Sequence, residues 1–202
     1  MSKLAMLMLG VAGTTGTAGL GFLIAKNQKD ESQKLRSKYP HALLTLDSDS
    51  SWSDKFNLLK TKTPSHPILK QAKTQFSNTQ QSQSLYKKGC NAIYDSEGTQ
   101  YLEDFKTFCA KTNKDGITGT WIKGGADVNT KWDEKLTNLK KSTDKLSSRF
   151  LEVQQSLSSD SFNDEMRTNI QKACDNANSE IYLGSESVET RNIKNFCLTS
   201  ES

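Results

Sequence analysis

At 202 residues, with 34 % apolar and 25 % charged side chains, the chain is long enough for one or two small domains and able to close a core, though a lean one. A net charge of +4 carried by 27 basic and 23 acidic residues gives no uniformly basic or acidic body. Two histidines and four cysteines leave little material for histidine-centred or zinc chemistry.

The most apolar stretch comes first. Residues 4–25 carry no charge between Lys3 and Lys26, and as a helix they would cross a hydrocarbon core of about 30 Å. Gly10, Gly13, Gly16, Gly19 and Gly21 lower helix propensity in water but are common in membrane helices. The glycines are not a phosphate-binding loop, because no Gly-Lys-[Ser/Thr] ending follows them. The expectation is a transmembrane or signal-anchor segment over 1–25. A cleaved signal peptide is the rival, although no clear Ala-x-Ala site is present.

Residues 26–50 read as a basic juxtamembrane linker. Residues 26–88 hold 12 basic and 5 acidic side chains, a net of +7, whereas residues 89–202 are net −4. Anionic headgroups attract each Lys or Arg near the surface by roughly 1 kcal/mol, and a tethered chain without an aromatic-basic motif is not expected to bind nucleic acid. The lysines just after the apolar segment would hold the body inside the cell by the positive-inside rule. The cysteines argue for the outside, since disulfides persist in oxidising compartments.

The rest of the chain contains itself twice. Trp52, Phe56 and Leu59 align with Trp132, Leu136 and Leu139 at an offset of 80, and Cys90 aligns with Cys174 at 84. Ile93-Tyr94 aligns with Ile181-Tyr182, and Phe108-Cys109 with Phe196-Cys197, at 88. The expected body is two tandem three-helix repeats, 51–110 and 131–198, around a Gly-rich linker at 111–130 with a small hairpin pinned by Trp121. Four cysteines permit three pairings. The duplication selects Cys90–Cys109 and Cys174–Cys197, because a duplicated unit most simply carries its own bridge. A bridge over a loop of about 20 residues adds on the order of 3 kcal/mol in the chain-entropy model, which is welcome in a unit of that size. Four buried free thiols are the alternative.

In the first copy, Thr63-Pro64-Ser65-His66-Pro67 interrupts the helix begun at Trp52, and Ser65 is expected to cap a new one with Pro67 in its first turn. Leu69, Ala72 and Phe76 resume the face. In the second copy, Trp132, Leu136, Leu139, Leu146, Phe150, Val153 and Leu157 follow a heptad, so one long amphipathic helix is expected over 132–157.

No catalytic constellation is visible. There is no Cys-x-x-Cys, the cysteines lie too far apart for zinc pairs, and Asp47-Ser48-Asp49 lacks the rest of a calcium loop. Glu103-Asp104, Asp133-Glu134 and Asp164-Glu165 read as solvated faces. The expectation is therefore a non-enzyme with no cofactor, no metal and no small-molecule substrate.

The opening Met1-Ser2-Lys3-Leu4-Ala5, Ser65-His66-Pro67-Ile68-Leu69, Cys90-x-x-Ile93-Tyr94 and Phe108-Cys109 together resemble the large paralogous families of haemotropic mycoplasmas, over nearly the whole chain. The resemblance implies a membrane-associated, surface-exposed protein for antigenic variation or host-cell contact, with a host surface or antibody as partner. It supplies no catalytic residues. It favours the uncleaved anchor but weakens the disulfide argument, since a wall-less bacterium has no periplasm to catalyse oxidation. The fold expected is all-α, and the function a single-pass membrane protein displaying a binding or antigenic module. The alternative is a cytoplasm-facing structural protein that self-assembles through its helices.

Overall fold

The computed structural model describes residues 33–44, 50–124, 127–159 and 161–199. The apolar 1–25 segment lies outside the described residues. Among the described residues no helix is long and apolar enough to cross a membrane.

The described chain is all-α, with four isolated β-bridges and no strand. In chain order the helices are α1 (Leu35–Lys38), α2 (Ser50–Asn57, extended by a 3₁₀ turn Leu58–Lys60), α3 (Pro67–Thr74), α4 (Thr79–Tyr94) and α5 (Leu102–Asp104, running into a π-turn Phe105–Cys109). They continue with α6 (Asn113–Gly116), α7 (Val128–Lys141), α8 (Ser148–Ser156), α9 (Asp164–Asn178) and α10 (Val188–Phe196). Two hydrophobic cores form, one from α1 to α5 and one from residue 117 onward.

The long helix expected over 132–157 is two helices. α7 stops at Lys141, Ser142 turns extended (ψ 127°), and α8 starts after Ser147 (ψ 159°). No proline is needed. Gln154 Nε2 donates to the carbonyls of Leu139 (2.8 Å) and Ser142 (2.9 Å), folding α8 back on α7. Ser142, Thr143, Asp144, Ser147 and Ser148 favour turns and caps over a helix interior. The reversal turns Leu136, Leu139, Phe150 and Val153 into one buried cluster, so the seam is spent on the molecule's own core. The expected three-helix stretches 51–110 and 131–198 therefore each contain four helical segments, with one break after Lys60 and the other after Lys141.

Neither expected linker is only a linker. Leu35, Ala42 and Leu44 are buried in the first core, and Ile117 and Ile122 in the second. Trp121 pins no hairpin. It bridges to Leu198, as Leu43 bridges to Ala110. Other connections recur in the same way. Leu35 N–H donates to Ser96 O (3.0 Å), and Asn113 N–H to Glu180 O (2.8 Å). Lys111 N–H donates to Ala42 O (2.7 Å), and Thr199 N–H to Thr120 O (2.8 Å). The bridges Lys34–Glu97 and Thr112–Ile181 match as well. These pairs hold offsets of 78, 84 and 88, although 34–44 and 112–122 share no identical residue.

The same geometry corrects one alignment. Ile93 and Tyr94 end α4 and are buried, while Ile181 and Tyr182 lie beyond the end of α9 at Asn178. The residues at the helical position of Ile93-Tyr94 are Ala177-Asn178, and Ala177 is fully buried. The Tyr182 ring instead lies over Gly116, where an added Cβ would sit 2.4 Å from the ring.

Candidate functional site

The cysteines form two bridges, Cys90–Cys109 and Cys174–Cys197, and no described cysteine is free. Each joins the middle helix of its core (α4 or α9) to the segment that closes it. Cys90 Sγ lies 3.8 Å from Phe108 O, and Cys174 Sγ 3.7 Å from Phe196 O. Trp52, Phe56, Leu59, Tyr94 and Phe108 surround the first bridge, and Trp132, Leu136, Leu139 and Phe196 the second. Tyr182 is only partly buried and packs on the rim of the second core. Trp52 meets Tyr86 edge-on at 5.3 Å, and Phe56 stacks on Phe76 at 4.8 Å. Tyr86 donates its hydroxyl to Phe108 O, and burial pushes its phenol well above its usual range.

Asp104 does not belong to a solvated face. It is 5 % exposed, and its carboxylate accepts Ser65 N–H (2.9 Å), Ser65 Oγ–H (2.8 Å) and His66 N–H (2.6 Å). It thus holds the start of α3, which would otherwise end in orphan donors. Ser65 is not the cap expected of it, since the N-cap position falls on His66. In the second core Asn192, 88 residues on, does the same work. Its Oδ1 accepts Ser147 N–H (2.8 Å) and its Nδ2 donates to Lys145 O (3.2 Å). An acidic-amide exchange at one position hid this pair, and only the shared spacing to the closing Phe-Cys could have shown it.

His66 is buried against Tyr101 with its Nδ1 unpartnered. Burial lowers its pKa from the ordinary 6.5, and the Asp104 charge opposes that only in part.

Ionic contacts join the two cores. Lys55 Nζ lies 3.0 Å from Asp115, and Lys106 Nζ lies 3.0 Å from Glu180. Asp115 also accepts Thr112 N–H and Oγ1–H, both at 2.8 Å, as the capping box of α6. Burial pushes the Asp115 carboxyl up, but the Thr112 N–H and Lys55 outweigh it and hold it below the usual carboxylate range. Ile181 adds an apolar contact to the first core.

The grooves on the second core are shallow and open. One of about 310 Å³ runs between α8 and α9, lined by Arg149, Glu152, Ser156, Asn169 and Lys172 over Val153 and Ala173. It has a packing origin. In the first core Gly89 lets α4 approach α3, since a Cβ there would lie 2.7 Å from Leu69 Cδ2. At the matching places the second core has Ala173 and Phe150, and α8 and α9 pack less closely. The groove holds no activated nucleophile, for Ser156 Oγ donates to Val153 O (2.7 Å) and Arg149 is paired with Glu189 (2.7 Å). Among the described residues no group of three His, Cys, Asp or Glu side chains could hold a metal ion.

No family model, no curated protein and no solved structure matches this chain.

Two outcomes test the site. Asp104→Ala should cost about 3 kcal/mol or more in denaturant titration, because three donors lose their acceptor, whereas Asp104→Asn, as in the second core, should cost about 1–2 kcal/mol. For His66, the unfolded chain binds the proton more readily than the folded one. Stability should therefore rise with pH from the lowered folded value to 6.5 and level off above it. His66→Gln should flatten that rise in denaturation midpoints measured across the window, and an unchanged slope would mean another group titrates.

Proposed function

We propose that the chain is a single-pass membrane protein whose body displays a non-catalytic helical module for binding or antigenic presentation. The module is read as two tandem copies of one disulfide-stapled unit, 34–111 and 112–199, each longer than the sequence identity suggests. The observation that carries this reading is the pair of buried bridges, each inside its own core and backed by the same set of hydrogen bonds. Two native bridges suit an oxidising environment, which supports an extracytoplasmic body behind the apolar residues 4–25. The resemblance to haemotropic mycoplasma surface families points the same way and favours host-cell contact or antibody exposure.

The alternative, a cytoplasm-facing protein assembling through the 132–157 seam, needs an apolar stripe on the surface. Trp132, Leu136, Leu139, Phe150, Val153 and Leu157 are instead buried in the second core. An enzyme would need a base beside a nucleophile. The histidines give no support for one, since His41 packs against Gly184 and His66 lies under Tyr101.

Protease treatment of intact producing cells is the test. The body should be released with both bridges intact; protection until lysis would place it inside and overturn the orientation.

A further inference from the structure

The contacts that join the two cores follow a rule that leaves one face unsatisfied. Lys55 on α2 and Lys106 on the π-turn hold Asp115 and Glu180 of the following unit. The offsets of 80 and 88 that relate the cores carry these lysines to Lys135 on α7 and Lys194 on α10, and both positions are again lysine. α7 and α10 pack against each other as α2 and the π-turn do, so the two lysines sit on one pair of packed elements, as Lys55 and Lys106 do. Lys135 is only 6 % exposed, yet it makes no ion pair with a carboxylate among the described residues. Lys194 is exposed and makes none either. The Lys135 stem is packed against the protein while its ammonium, which is not a buried unpartnered atom, reaches solvent, where a carboxylate can meet it. In the first unit the corresponding Lys55 is met by Asp115.

We propose that the Lys135–Lys194 face is a docking surface for an acidic polypeptide edge, one that presents two carboxylates as Asp115 and Glu180 do. The proposal rests on reading the body as a two-unit binding module and names the chemistry of what that module takes. A second molecule of this chain fits poorly. Its corresponding leading edge carries Ser37 where Asp115 stands and Ser96 where Glu180 stands, with Glu97 in place of the apolar Ile181. That edge also holds Lys34 and Arg36, both engaged with Asp95. Charge complementarity therefore selects a different, acidic chain.

The full chain in detergent, titrated calorimetrically with a decaglutamate peptide at low salt, provides the test. Binding should weaken by about tenfold or more in the Lys135→Met/Lys194→Ala double variant. It should stay near the wild-type value in Lys145→Ala/Lys172→Ala, which removes the same charge elsewhere on the second unit. Lys194→Ala alone, at an exposed position, should weaken binding without altering the melting temperature, which guards against a folding defect at Lys135. Absence of wild-type binding at about 1 mM peptide, or equal weakening by the two double variants, would overturn the proposal. Self-association of the wild type that is lost in Lys135→Met would overturn it too, by making a second molecule the occupant. The bridges and the protease release of the body are read independently, so failure here removes the docking face and leaves the module standing.

Discussion

The Cys90–Cys109 bond ties the buried face of α4 to the π-turn behind α5, and the Cys174–Cys197 bond ties α9 to the end of α10. Each tie brings a closing Phe onto the helix that carries Trp52 or Trp132, where the apolar burial of the unit is concentrated. Only about a third of this chain is apolar, and units of roughly 80 residues bury little surface for their length. Restricting the unfolded chain by a loop of about 20 residues is a gain of on the order of 3 kcal/mol, comparable with burying one or two large side chains. The remaining contacts can be polar because the closure is covalent.

A second device sets the shape. Each unit must reverse direction between its first and second long helices, and the reversal exposes helix-start donors inside the protein. Asp104 and Asn192 meet those donors from the same segment that the disulfide ties down. The bridge and the clip lie on the same segment, so the covalent closure also holds in place the side chain that stabilises the bend.

Much of this was legible in the sequence where the chemistry is apolar or covalent. The Trp, Leu, Phe and Cys positions place both cores, and the copy relation selects the pairing of the bridges. What escaped is polar or backbone-borne. The break after Lys141 has no proline, and its cause lies in Gln154 and Asn192 on other elements. The opening segment of each unit is held by backbone hydrogen bonds, which place no demand on side-chain identity, so residues 112–122 looked like a linker. Tyr94 and Tyr182 aligned by letter, yet one ends a helix and the other caps a loop. Asp104 looked solvated because a charged residue in a short helix usually is.

The reading as a display module rests on those two closures being covalent and internal to each unit. Tandem mass spectrometry of the unreduced chain, digested between the cysteines, tests that most directly. The account predicts peptides linked Cys90 to Cys109 and Cys174 to Cys197, with no free thiol. Links running between the two units, or four thiols open to alkylation, would contradict it.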